Sequence, residues 1–354
     1  MKLQEIIAIT GYSLEGVLFT SRENKYYTAG LNSDSGYVLI VQGELHIIVD
    51  GRYYTDMKQK NENNFHIHLL NNEHPLGQII NGILTKHAIS CLAVEETMTL
   101  AAYKQLKGSI FADLKPMDFS ALRRIKNECE ITEIKKACNI AAKAYEQLLP
   151  WIQPGMTESE IANELVCYMK QAGAEKEAFD TIVLSGTRTA LPHGKPGDRR
   201  VKEEDFLTID FGARYHNYTS DITRTFQIGK KQPSKLWDIY RIVAEAQKTA
   251  IAEIMPGKRC KDIDKAARDL ITGYGYGPYF THNLGHSIGI LCHENPRLSP
   301  VDNDILLPGM VFTVEPGIYM EGIGGVRIED DILVTEYGCE VLTTMASKEE
   351  LYEF

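Results

Sequence analysis

The sequence predicts an α/β (α+β) protein of two domains, the second of them built from two similar halves. Its 354 residues suffice for about two domains, each with its own core. Up to about residue 118, short apolar and β-branched runs alternate with helix-spaced segments; beyond it, long helical patterns precede β-rich sequence. A shift of 102 residues superposes Ile140 on Ile242, Ala142 on Ala244, Ala144 on Ala246, Ile152 on Ile254, Pro154-Gly155 on Pro256-Gly257 and Ile161 on Ile263. Each copy is a helix, a Pro-Gly break and a second helix, which implies an approximate two-fold axis.

In the first domain, residues 1–120, the runs Gly16–Thr20, Gly36–Val41, Leu45–Val49 and Ile89–Val94 are strand candidates. Gln42-Gly43 reads as a tight hairpin turn, and Pro75–Leu84 and Leu100–Leu106 carry helical spacing. Asp50-Gly-Arg-Tyr-Tyr54 clusters charge and aromatics at a strand end and reads as a surface turn. The second domain, residues 121–354, opens on a helical pattern from Leu122 that stops before Pro154-Gly155. Thr157 and Glu160 have the spacing of a capping box for the next helix, and Phe179–Ser185 is a strand leading to the loop Ala190–Gly197.

Paired acids end each half. Phe206–Phe211 and Tyr218–Phe226 form a hairpin with a longer or bulged loop around Asn217, which brings Asp221 beside Asp210. The plain alternative is that both acids cap surface turns. In the second half, Met310–Met320 is a strand broken at Pro316-Gly317, Gly322–Gly325 turns, and Val326–Val334 pairs back. Glu315 and Glu329 converge there, with Arg327 on the same strand face as Glu329. Between the hairpins, His282, His286 and His293 lie in a glycine-rich stretch.

Composition removes other classes. The formal charge of −10 and the absence of a basic stripe argue against nucleic acid, and acids interrupt the clusters Arg123-Arg124 and Arg199–Lys202, which read as solvated faces. No apolar run has the length of a membrane span, and the start Met1-Lys-Leu-Gln-Glu does not resemble a signal peptide. Seven scattered cysteines without a C-x-x-C pair indicate reduced thiols and a cytoplasmic protein; none is assigned chemistry.

Four buried carboxylates with an imidazole repel one another unless cations intervene. Two divalent ions would neutralise them, and an oxygen-rich set with one nitrogen favours manganese, with cobalt, zinc or iron as alternatives. The chemistry this permits is metal-assisted hydrolysis, acyl ahead of phosphoryl because no Walker-type loop is present.

Asp210-Phe-Gly, Asp221-Ile-Thr-Arg-Thr, His282-x-x-Gly-His286, His293-Glu, Thr313-Val-Glu-Pro-Gly317 and Arg327-Ile-Glu-Asp-Asp331 together resemble the aminopeptidase P and prolidase family. The resemblance is dense from about 121 to 350 and looser in front, through Asn24–Gly30 and Val49–Tyr53. It implies a creatinase-type N-terminal domain followed by a pita-bread domain with pseudo-two-fold symmetry. It makes Asp210, Asp221, His286, Glu315 and Glu329 the ligands of a dinuclear site, with Asp221 and Glu329 bridging. Glu315 would also shuttle a proton, His193 and His282 would face the substrate, and His293 would steady the tetrahedral intermediate. Arg327 would hold a ligand carboxylate in place.

The expected activity is hydrolysis of an N-terminal Xaa-Pro bond on peptides with proline second, aminopeptidase P-like, with Xaa-Pro dipeptidase (prolidase) as the alternative. A homodimer is implied, with Arg52 and Tyr53 as candidates for the border on a partner's site. Creatinase lacks the ligands, methionine aminopeptidase lacks such an N-terminal domain, and a non-catalytic binding module would have lost ligands that this chain keeps. Asn217 and Asn283 stand where the family commonly has glycine; asparagine tolerates positive φ, so the turns are expected to survive.

Overall fold

The computed structural model describes residues 3–61, 65–230 and 233–344. The outermost ends of the expected domains, Met1-Lys2 and residues 345–354, lie outside that range. The chain forms two compact units, Met1–Arg123 and Arg124–Phe354. No helix among the described residues is long and apolar enough to cross a membrane.

The first unit is a mixed sheet of β1 (Gly16–Phe19), β2 (Tyr37–Val41), β3 (Glu44–Val49), β4 (His66–Leu69), β5 (Cys91–Glu95) and β6 (Asp113–Met117), ordered β4-β3-β2-β1-β5-β6. Strands β1 to β3 run antiparallel, and β4, β5 and β6 each join by parallel pairing. One sheet face buries Val17, Phe19, Val38, Ile40 and Ile47 with α1 (Leu3–Thr10), while α2 (Arg22–Ala29) and α3 (Gly51–Gln59) complete the early helices. The other face buries Leu18, Leu39, Ile48 and Val94 against α4 (Leu76–Lys86) and α5 (Leu100–Ser109). Sequence reading misses β4 and β6, the two edge strands. Their short runs mix polar with apolar residues and none is fully buried, and β6 contains Pro116, which an edge tolerates.

Two expectations fail here. Asp50 is not in a plain turn: its carboxylate accepts from the Arg52 backbone N–H at 2.9 Å and caps α3. Arg123 is not solvated but buried, donating to Asn24 Oδ1.

The second unit repeats a helix pair. Asn127 caps α6 (Glu128–Leu148) in a capping box with Glu130, so the helix starts later than the apolar pattern from Leu122 suggests. Thr157 caps α7 (Glu158–Gln171) as the spacing predicts. The second pair is α8 (Lys235–Glu253) and α9 (Cys260–Gly273). Gly155 (φ 96°) and Gly257 (φ 88°) both take the left-handed conformation that glycine permits, and donate to Val201 O and Leu306 O at 2.7 and 2.9 Å. Each pair covers its own apolar core, one around Ile161, Ile209 and Phe211, the other around Ile263, Phe312 and Val326.

The first half carries β7 (Lys176–Glu177), β8 (Ile182–Ser185), β9 (Phe206–Phe211), β10 (Ala213–Tyr215), β11 (Tyr218–Thr219) and β12 (Ile222–Gln227). The expected long or bulged loop is in fact a two-residue turn: His216 (φ 44°) and Asn217 (φ 69°) join β10 to β11, with Tyr215 opposite Tyr218. Asn217 thus meets the positive-φ requirement, and its Oδ1 accepts from Arg214 at 2.7 Å. The irregularity lies instead at Gly212 and Ser220-Asp221, where the hairpin splits and pairing resumes between β9 and β12. The second half carries β13 (Gly285–Ser287), β14 (Glu294–Leu298), β15 (Val311–Val314), β16 (Gly317–Met320), β17 (Gly324–Arg327), β18 (Asp330–Val334) and β19 (Cys339–Val341). It splits likewise: β15 pairs with β18 and β16 with β17, leaving Glu315 and Glu329 in the two breaks.

Candidate metal centre

Those interruptions position the acids. Asp210 is the penultimate residue of β9, and Asp221, Glu315 and Glu329 occupy strand breaks, where a side chain is free of sheet alternation. His286 sits mid-strand in β13. Asp210, Asp221, His286, Glu315 and Glu329 line one cavity of about 440 Å³ with His193, His282, His293 and Arg327, so the folded chain brings together the expected ligands and the histidines and arginine expected to serve them; Arg52 and Tyr53 are not among its lining. Neither Asp210 nor Asp221 caps a surface turn; Asp221, His286, Arg327 and Glu329 are buried.

His286 Nε2 lies 3.4 Å from Glu315 Oε1 and 3.7 Å from Asp221 Oδ2. Single donor atoms of Asp221, His286 and Glu329 fall within 4.8 Å of one another. His286 Nδ1 lies 3.2 Å from the Ser287 carbonyl, which fixes the proton there and turns the Nε2 lone pair to the acids. Burial, with His293 beside it, depresses His286 to about 3, so the ring is neutral as ligation requires. Burial and neighbouring acids push Asp221 and Glu329 well up, and burial, with Asp210, pushes Glu315 up to about 8. Asp210 Oδ1 is buried without a hydrogen-bond partner among the described residues. An orphaned carboxylate oxygen among mutually repelling acids is the donor set that divalent cations satisfy.

Other groups steer these side chains. Arg327 Nη2 donates to Asp210 Oδ2 at 2.7 Å, its Nη1 to the Tyr319 hydroxyl at 2.7 Å, and its Nε to Thr223 Oγ1 at 3.0 Å. Thr223 Oγ1 in turn donates to Glu329 Oε2 at 2.6 Å, and Thr313 Oγ1 to Glu315 Oε1 at 3.2 Å. Arg327 and Glu329 therefore meet through Thr223 rather than along one strand face. His282 Nε2 lies 3.0 Å from the Tyr319 hydroxyl, and burial lowers this imidazole to about 4. The His293 ring lies 4.1 Å from that of His286, on the open side of the cavity.

Four participants are absent from the sequence reading. Cys292 Sγ donates to Asp221 Oδ2 at 3.1 Å, Asp331 Oδ2 accepts from the Asp221 backbone N–H at 2.9 Å, and Tyr319 links His282 to Arg327. Arg297 is the fourth. On β14, Glu294, Pro296 and Leu298 point inward while Asn295 and Arg297 point out, and this alternation sets the Arg297 side chain on the cavity wall. The alternation around Pro296 is the signal that could have found it.

Comparison with known proteins agrees with this geometry. Metallopeptidase family M24 matches residues 132–336, and the Creatinase/Prolidase N-terminal domain matches residues 2–125. The Xaa-Pro dipeptidase of Pyrococcus horikoshii is 40% identical over 334 residues, covering 94% of this chain and 93% of that protein. Among solved structures, an Xaa-Pro dipeptidase from Bacillus anthracis superposes with a TM-score of 0.93 at 38% identity, over 99% of this chain and 98% of that one. An X-Pro aminopeptidase from Thermotoga maritima gives 0.89 at 36% identity, over 99% and 100%. A pita-bread unit behind a creatinase-type domain, with this set of acids and histidines, is the plan of a peptidase, and the chain belongs to metallopeptidase family M24.

Proposed function

We propose that the chain is an Xaa-Pro dipeptidase, cleaving the bond before a C-terminal proline. This departs from the expected aminopeptidase P-type action on longer peptides, and the dipeptidases among its relatives support the change. The observation that carries it is Arg297. Its exposed guanidinium lines the cavity beside His293 and Asn283, and no acid pairs with it among the described residues. A planar guanidinium matches a free carboxylate in bidentate fashion, which a dipeptide's proline offers and a longer peptide's amide does not.

Asp210, Asp221, His286, Glu315 and Glu329 would hold two divalent ions, manganese first by donor type. When bound, the ions supply an acidified water and positive charge against the scissile carbonyl. Glu315 takes the proton from the attacking water and delivers it to the prolyl nitrogen as the bond breaks. His293 donates to the oxyanion that develops on the carbonyl. His193 and His282 flank the substrate, and Arg327 holds Asp210 in its ligating rotamer.

The test is an initial-rate assay of manganese-loaded protein on Ala-Pro, Ala-Pro-Ala and Ala-Ala-Ala. Turnover of Ala-Pro alone is expected. Faster cleavage of the proline tripeptide would make the enzyme an aminopeptidase P instead, and inertness towards every substrate with metals bound would remove proline specificity.

A further inference from the structure

Four of the chain's ten histidines gather in the first unit, far in sequence from the peptidase residues. Glu44 and His46 are two apart on β3 and face the side of the sheet covered by α4. His66 on β4 pairs in register with His46, and His87 follows the last residue of α4. Glu44 Oε2 lies 3.4 Å from His46 Nε2, 3.7 Å from His66 Nε2 and 3.1 Å from His87 Nε2. A tetrahedral zinc ion with bonds of about 2.0–2.1 Å separates its ligand atoms by about 3.3 Å. One donor atom each from Glu44, His46 and His87 falls within 4.8 Å of the others; His66, half exposed, reaches Glu44 but stands outside that set.

The rings are oriented for this. His46 is buried, its Nδ1 lies 3.0 Å from His68 Nε2, and its own Nε2 has no hydrogen-bond partner among the described residues. With the Nδ1 proton donated to His68, Nε2 presents a lone pair to the cluster. His87 Nδ1 lies 3.3 Å from Gln42 Oε1, which likewise leaves its Nε2 facing Glu44. These outer contacts are the kind that fix metal-ligating imidazoles. Lys86 Nζ holds both Glu44 oxygens, at 3.0 and 3.1 Å, and its exposed side chain is free to withdraw or to keep Oε1 alone.

We propose that Glu44, His46 and His87 form a structural zinc-class site in the N-terminal unit, with His66 placed to close on the ion as the fourth ligand, and that this site is distinct from the peptidase ligands. Three imidazoles and one carboxylate suit zinc better than the harder ions that an oxygen-rich set prefers. A bound ion ties the edge strand β4 to β3 and to the end of α4, closing an edge whose own apolar burial is slight.

The full-length protein and the variants His66→Ala and His87→Ala, dialysed against micromolar zinc, would be assayed for metal by mass spectrometry. Wild type is expected to hold one zinc per chain more than either variant, while all three hydrolyse Ala-Pro equally when manganese-loaded. Equal zinc counts overturn the site. Hydrogen exchange on the wild type gives an answer independent of any substitution: zinc should slow exchange in residues 65–70 about tenfold, and unchanged rates there also overturn it.

Discussion

In the proposed mechanism Glu315 serves both chemistry and ligation: its carboxylate faces His286 at 3.4 Å and burial raises its basicity to about 8. Glu315→Gln keeps the shape and removes the proton acceptor. Turnover should vanish, and substantial activity at saturating manganese would show that another group carries the proton. His293→Ala should lower kcat at least a hundredfold while metal content is retained, because removing an oxyanion donor costs about that much. If that variant purifies without its metals, His293 is a ligand or a structural support instead. Arg297→Ala should raise KM for Ala-Pro about 10- to 100-fold, the equivalent of the about 1.5–3 kcal/mol of a charged hydrogen bond, with a smaller change in kcat. An unchanged KM would free the proline carboxylate from this residue. The residues with motif chemistry were legible in sequence: His286 and His293 stood out in their glycine-rich stretch. Arg297 did not, since an isolated arginine looks like any surface cation until strand alternation and a guanidinium without an ion pair among the described residues give it a role.

Single elements explain why some of the fold could be read and some could not. The capping boxes of α6 and α7 and the Gln42-Gly43 turn declare themselves locally, because their hydrogen bonds join residues three apart or fewer. Strands β4 and β6 depend on neighbours distant in sequence, and their polar residues hide them. The split of the first hairpin was invisible, being set by contacts between strands, whereas Pro316-Gly317 announced one of the two breaks in the second. Gly212 sits at the first split, where a Cβ would collide with the Ser220 carbonyl. Gly212→Ala should therefore spread β10 from Ser220-Asp221 and displace the Asp221 carboxylate. Manganese affinity should fall at least tenfold, measured by calorimetry, with helical circular dichroism intact; unchanged affinity would mean that the split tolerates movement.

At the level of the molecule, the 102-residue shift is realised in matched helix pairs and left-handed glycines, so the internal duplication was readable from periodicity. Asp210 and Asp221 come from the first half, and His286, Glu315 and Glu329 from the second. Ions held by this proposed set would bind only the assembled unit. At a hundred times its dissociation constant, manganese should stabilise the protein by about 2.7 kcal/mol. A chain of this size should then melt several degrees higher with manganese than after chelation. Equal melting temperatures would show that manganese does not bind the native state preferentially, and would overturn the ligand set described above.

The distribution of ligands between the halves has a consequence for biosynthesis. The proposed ligands of the first half, Asp210 and Asp221, leave the ribosome well before Glu329. A nascent or truncated polypeptide cannot assemble the set, and so has no means of attacking surrounding peptides. On the proposed ligand set, latency is a matter of translation order: hydrolytic competence would arrive only once the second half has been made.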